Sequence, residues 1–270
     1  NTILKFDNSS GTTADAGGIK LTHDNVIMNL TIENNNSENS DSYVLGASGT
    51  SGNKISNVSV RNIGINYTGS GTSGYKYGIY LDNVNDFDFQ NIVTNLNGLS
   101  NNHAIKINSS VGSINKSDIV VKGNSTENVG LNITNSNIDI HNGNVLVTST
   151  SSTVPNYGIK IDNDSNNPLK YVNLQDSFIR AEHGGLLSGS YEFSVYRSGS
   201  GDYGHRLVAS GSRLDGLVRD THTSSNTKMR FNNCYQISAN NTYQPINNKG
   251  LLDETSNGSI IIGANSGGYL

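Results

Sequence analysis

Two aspartates, Asp88 and Asp139, stand where a pair of carboxyl groups could act on a glycosidic bond. Each opens a short phrase of one type, DFQNIV (88–93) and DIHNGNV (139–145). Hydrolysis of such a bond uses two carboxyl groups, about 5–5.5 Å apart for retention and about 6.5–9.5 Å apart for inversion. Asp82 and Asp162 form a second pair, in YLDN (80–83) and KIDN (160–163). A calcium-assisted elimination would instead want several carboxylates beside a Lys or Arg base, and Asp86, Asp88 and Asp139 offer only a loose version of that.

A set suited to binding is better organised. Five phrases of the form small, apolar, polar, apolar recur: GIKL (18–21), GIYL (78–81), AIKI (104–107), GLNI (130–133) and GIKI (158–161). The residue before the small one reads Tyr77, His103, Val129 and Tyr157, and the polar position reads Lys20, Tyr80, Lys106, Asn132 and Lys160. Flat rings stack on sugar faces, while Lys and Asn hydrogen-bond to hydroxyls or acidic substituents. The candidate carbohydrate-binding residues are therefore Tyr77, Tyr80, His103, Lys106, Tyr157 and Lys160; the alternative is that the rings are half-buried spacers. The six histidines show no metal-ligand spacing, so no metal site is expected, and no cofactor motif is present. Cys234 is single and occupies an apolar position, which predicts a buried, inert thiol.

These residues need elements to carry them. Alternation with period two marks strands with one buried face. A second template, apolar, any residue, Asn or Asp, then usually apolar, runs in step with the first: Ile27/Asn29/Leu30, Ile55/Asn57/Val58, Phe89/Asn91/Ile92, Ile140/Asn142 and Leu174/Asp176. Asp118/Ile119 is a weaker copy and Phe231/Asn233/Cys234 a late one. Intervals between rungs run from 24 residues (118 to 142) to 34 (142 to 176), a repeat with loops of variable length. The expected fold is an all-β solenoid of about eight to ten coils stacked ~4.8 Å apart, with like strands side by side as in a parallel sheet. In it an inward amide at each bend bonds backbone and the amide of the next coil, and Asn tolerates the left-handed backbone of a tight corner. The expected structural ladder is Asn29, Asn57, Asn91, Asp118, Asn142, Asp176 and Asn233.

Coil arithmetic then limits the chemistry. Asp82 and Asp162 fall three coils apart, about 14 Å, and cannot share one bond. In the column Lys54, Asp88, Asn115, Asp139, Asn173, the two aspartates are two coils apart, about 10 Å. That lies just beyond the inverting range, so Asp88 and Asp139 are catalytic candidates without a fitting separation.

Composition agrees with a thin, stacked core. The chain has 270 residues, 33% of them hydrophobic, with 42 asparagines and no tryptophan. Phased apolar sets argue against disorder. Net charge is −4 with no basic run, which excludes a nucleic-acid surface, and no apolar stretch is long enough for a membrane span. Regular coils are expected over 1–190. Residues 191–270, with scattered arginines, are expected to form less regular terminal coils or a capping or interface region. The first strand, ILKF (3–6), has no amphipathic helix to cover it, so the chain is expected to be a fragment or to pack its end on a partner.

NVIMNLTIENN (25–35), the ladder it starts and the GI-x-[LI] strands resemble the parallel β-helices of the pectate-lyase-like superfamily, over residues 15–190 above all, which implies a right-handed, single-stranded parallel β-helix with an inward asparagine ladder. That superfamily includes polysaccharide lyases and hydrolases, adhesins and phage tailspikes. The Asn-Thr-Asp, Asp-Asp, Gly-His-Gly and Arg-Ile-Lys set of polygalacturonases and the Arg-x-Pro-x-x-Arg motif of pectate lyases are missing. The resemblance implies an extracellular, cell-surface or virion-tail protein that recognises a polysaccharide or cell-surface glycan, as a tailspike receptor-binding domain or adhesin does. A homotrimer would be in keeping with its tailspike branch. A lyase or hydrolase and a non-binding spacer are the alternatives.

Overall fold

A computed structural model describes residues 2–6, 18–35, 39–123, 126–163, 170–187, 191–199, 205–221, 229–237, 243–246 and 260–261. Every regular element among them is a strand. After β1 (Thr2–Phe6) the strands come in tiers: β2 (Ile19–Leu21) with β3 (Val26–Asn34), β4 (Ser42–Ser48) with β5 (Ile55–Tyr67), and β6 (Tyr75–Asp82) with β7 (Val84–Gly98). Later tiers hold three: β8 (Asn101–Asn108), β9 (Val111–Asn115), β10 (Asp118–Gly123); β11 (Asn128–Thr134), β12 (Asn137–His141), β13 (Asn144–Ser149); β14 (Asn156–Asn163), β15 (Lys170–Gln175), β16 (Phe178–His183). Two more follow: β17 (Glu192–Gly199), β18 (His205–Ser210), β19 (Arg213–Asp215), then β20 (Leu217–Asp220), β21 (Met229–Asn232), β22 (Cys234–Ile237).

Each strand pairs in parallel with its equivalent in the next tier, so β2, β4, β6, β8, β11, β14, β17 and β20 form one sheet in that order. The other strands form a fifteen-stranded sheet. Its long strand β7 pairs through residues 85–90 with β9 and through 93–98 with β10, which is where two-strand tiers give way to three-strand ones. The parallel register continues past residue 190, and the last pairings are antiparallel, β22 with β23 (Tyr243–Ile246) and β20 with β24 (Ile260–Ile261).

Like residues pile into columns inside the stack. Leu45, Ile79, Ile105, Leu131, Ile159 and Val195 share one column, and Val60, Phe89, Ile114, Ile140, Leu174 and Ala209 share another from the opposite sheet, all buried. Burying one such Leu, Ile or Phe contributes roughly 1.5–3 kcal/mol, so a few inward residues per tier suffice. The neighbouring column, Leu81, Ile107, Ile133 and Ile161, changes character at its end: the next members are Arg197 and Asp220, a buried ion pair.

The recurrent asparagine has a local explanation in β5 and β7. Along Phe89-Gln90-Asn91-Ile92 the burial runs in, out, out, in, and Asn91 has a φ of 54°. One left-handed residue adds a second outward position, bends the strand, and restores the alternation beyond it. Asn29, Asn62, Asn91, Lys116, Asn142, Asp176, Gly211 and Asn233 all hold φ between 48° and 60° at this corner, tier after tier. Left-handed backbone costs an ordinary residue roughly 1–2 kcal/mol and Asn much less, which selects the residue type.

Three expectations need correction. The corner amides are exposed, not inward, because the left-handed residue turns its own side chain out. Asn57 is not a rung with Asn29: it sits one corner earlier, in register with Asp24 and Asp86, and donates to Asp24 at 2.7 Å, while Asn62 is the rung and donates to Asn29 at 2.9 Å. Asp118 lies two residues beyond the corner at Lys116 and pairs with Val93 and Asn144. A buried amide column does exist, built from Asn102, Asn128 and Asn156, each fully buried. Asn102 donates to Asn128 at 3.1 Å and Asn128 to Asn156 at 3.0 Å, and the first two also donate to Gly98 and Gly123 carbonyls. Cys234 is buried in β22, and burial raises its thiol pKa.

Candidate functional site

The outer face of the nine-stranded sheet carries two adjacent columns. One reads Lys20, Gly46, Tyr80, Lys106, Asn132, Lys160, Tyr196 and Arg219. The other reads Tyr43, Tyr77, His103, Val129, Tyr157, Phe193 and Leu217. Small residues at Gly78, Ala104, Gly130, Gly158 and Ser194 lie between them and face inward, where an added Cβ at Gly78 would approach the Ala104 carbonyl oxygen to 2.6 Å. The small residue of the repeat therefore keeps successive tiers close, and its neighbours present the two columns.

Aromatic rings gather at two places. Tyr43 stacks on Tyr80 with ring centres 6.3 Å apart, Tyr77 lies 5.1 Å from Tyr80, and Tyr75 stacks on Tyr77 at 6.0 Å. Further along, Tyr157 stacks on Phe193 at 5.3 Å and both meet Tyr196 at 5.2 Å. Tyr77, Tyr80 and Tyr157 are half-buried, and burial raises their phenol pKa values, that of Tyr157 to about 12. These hydroxyls stay protonated and can donate and accept.

A polar network separates the clusters. Glu127 accepts from His103 Nε2 at 3.0 Å and from Lys160 Nζ at 2.8 Å. Lys106 Nζ donates to Asn132 Oδ1 at 2.9 Å and Thr134 Oγ1 at 2.8 Å, and Asn132 Nδ2 lies 3.3 Å from His103 Nδ1. Lys160 also sits 5.1 Å above the Tyr157 ring, in cation–π range, and 3.9 Å from Asp162. Burial alone would raise the Glu127 pKa, but hydrogen bonds from His103 and Lys160 outweigh it and hold the carboxyl at about 2. Burial lowers His103 and Lys106, whereas Asp162 and Glu127 raise Lys160 against the effect of burial. Glu127 is therefore an anion that cannot serve as a proton donor to a leaving group.

Of the six residues chosen from sequence, all lie in these two columns. His103 is 2% exposed and so acts beneath the surface, holding Glu127 and Asn132, not as a surface ring. Asp82 and Asp162 occupy the next column three tiers apart, bonded to Asn108 at 2.8 Å and Ser198 at 2.5 Å respectively. Asp88 and Asp139 lie on the other sheet, two tiers apart, with Ser113 between them; Ser59 and Ser113, not Lys54 and Asn115, complete that column. Asp88 is bound by Arg61 at 3.0 Å and Asp139 by Asn173 at 2.7 Å. No group of three or more metal-ligating side chains occurs among the described residues.

Sequence reading missed Glu127, Tyr43, Tyr75, Phe193 and Tyr196. Glu127 precedes its strand in a loop without period, so nothing local marked it. Tyr43 lies in SYVLGA (42–47), a copy of the repeat whose glycine fills the polar position, which the small-apolar template did not match. No protein-family model matches the chain, and no curated protein or solved structure shows significant similarity to it.

Proposed function

We propose that the chain is a right-handed, single-stranded parallel β-helix of the pectate-lyase-like kind whose nine-stranded sheet carries a glycan-binding face. The carrying observation is the order of groups on that face: an aromatic cluster at Tyr43, Tyr77 and Tyr80, a hydrogen-bonding network, then a second cluster at Tyr157 and Tyr196 backed by the buried Phe193. Rings fixed on strands give flat apolar platforms at low entropic cost, and the network between them offers directed donors and acceptors. Tyr77 and Tyr157 are three strand spacings apart, about 14 Å, which suits an extended oligosaccharide lying along the stacking direction. The right-handed sense follows the preference of parallel crossover connections. Display on a cell surface or virion tail, and assembly as a homotrimer, belong to the same reading.

A second reading is a polysaccharide lyase. Its support is Lys106, made less basic by burial and bonded to the neutral groups Asn132 and Thr134, as a proton-abstracting base would be.

Incubation with a panel of neutral and acidic glycans, followed by binding measurement and product analysis, separates these. A binder retains glycan and releases neither reducing ends nor unsaturated products. Tyr80→Ala and Tyr157→Ala should each weaken binding about tenfold, the size of one aromatic contact. Wild-type affinity in both variants would exclude this face.

A further inference from the structure

We propose that the groove above Gly46 is the anchoring subsite for one uncharged pyranose unit, so that the face selects a neutral glycan over a polyuronate or sulfated one; this rests on the glycan-binding reading above. Gly46 interrupts a column of long side chains, Lys20 before it and Tyr80 after it. Its missing side chain makes room for the Tyr43 ring, which covers the buried Gly46 backbone, and the groove there, of about 440 Å³, is lined by Lys20, Asp41, Tyr43, Tyr77 and Tyr80 among others. That volume falls within the roughly 300–1,000 Å³ of small-ligand sites.

Glycine is required here by packing. The Tyr43 ring lies across the Gly46 backbone, and a Cβ there would come within 2.5 Å of the ring edge. The ring is thus held nearly parallel to Tyr80, at an interplanar angle of 18°. The two tyrosine rings, Tyr43 lying over Gly46 and Tyr80 beside it, are the platforms for the flat face of a sugar ring. At the rim stand one cation and one anion, Lys20 and Asp41, and Asp41 is oriented by the Tyr75 N–H at 2.8 Å. A hydroxyl can accept from the first and donate to the second, whereas a carboxylate or sulfate would face Asp41.

Charge along the face points the same way. From the groove to the second aromatic cluster the outward lysines are Lys20, Lys106 and Lys160, with Lys76 buried and bonded to the Ser40 carbonyl, and the carboxylates are Asp41, Asp82, Glu127 and Asp162. Lys160 is already engaged by Glu127 and Asp162. A repeating polyanion would meet no cationic excess and would be repelled.

Titration calorimetry of the intact chain with neutral, uronate-bearing and sulfated oligosaccharides tests this. Expected are binding of a neutral oligosaccharide with little change between about 0.1 and 1 M salt, where charge attraction is screened, and about tenfold weaker binding by Tyr43→Ala. Lys20→Gln, at an exposed side chain that leaves folding intact, should also weaken binding. Wild-type affinity in Tyr43→Ala and Lys20→Gln, with loss in Tyr157→Ala, overturns the groove while the glycan-binding face stands. Preference for an acidic oligosaccharide, weakened by salt, overturns the selectivity. No binding to any glycan overturns the face reading and the groove together.

Discussion

The imidazole of His103 and the carboxylate of Glu127, carried on neighbouring tiers, meet at 3.0 Å in a hydrogen bond from a neutral ring to an anion. Burial lowers the His103 pKa despite the adjacent charge, while the bonds from His103 and Lys160 bring Glu127 to about 2. An ionised carboxylate can only accept, so Nε2 carries the proton, and Nδ1 is left to accept from Asn132 at 3.3 Å. One buried ring thereby orients both an acid and an amide of the outer face.

A pH dependence follows. Glu127 titrates near 4.5 when unfolded and near 2 when folded, so its contribution is complete above about pH 4.5 and is lost as pH falls toward 2. The shift corresponds to an amount on the order of 3 kcal/mol. His103, lowered from 6.5, adds a loss of the same sign below that pH. Urea unfolding across pH 7 to 2 should show stability falling steadily, and Glu127→Gln should flatten the segment below pH 4.5. An unaltered slope in that variant would show that the carboxylate is not anchored as described.

The buried amide column should be costly to interrupt. Asn128 accepts from Asn102 and donates to Gly123 and Asn156 with its side chain fully enclosed. Asn128→Ala leaves those partners unmatched, at a cost of about 1–3 kcal/mol. Asn128→Asp keeps the shape but loses both donors, and should destabilise as well. Thermal melts report both; a wild-type melting temperature in either would mean that the column carries no stability.

Lys116 is the odd residue in the corner column of Asn29, Asn62, Asn91 and Asn142, at φ 53° without glycine or an asparagine-like side chain. Lys116→Asn should stabilise the chain by up to about 1 kcal/mol by relieving that strain. It would also place an amide between Asn91 and Asn142. Lys116→Val should do the opposite. Equal melting temperatures for the two variants would remove backbone strain as the reason for asparagine at this corner.

The corner itself was legible in the sequence, because the phrase apolar, any, Asn, apolar records an in, out, out, in progression that a single left-handed residue imposes. Its direction was not. Simple alternation assigns the Asn of Phe89-Gln90-Asn91 to the same side as Phe89, and only the φ of 54° turns it out. The columns of Ile79, Ile105, Leu131 and Ile159, with Tyr80, Lys106 and Lys160 beside them, were readable from spacing because those phrases lie at near-equal intervals. Asn102, Asn128 and Asn156 stand two residues before each small residue and were passed over, since nothing in a single strand says that a polar residue there is enclosed by the corner loop.

What the sequence alone determined is therefore local: strands with one buried face, left-handed asparagine corners, and the middle of the two outward columns, from Tyr77 and Tyr80 to Tyr157 and Lys160, each set by backbone preference and period two. The tertiary structure decided which corner stacks on which. It aligned Asn62 and not Asn57 with Asn29, and it brought Glu127 from a loop onto His103 and Lys160. Register between tiers is set by hydrogen bonds and side-chain packing summed over whole strands, across loops of unequal length, and no single phrase of sequence contains that sum.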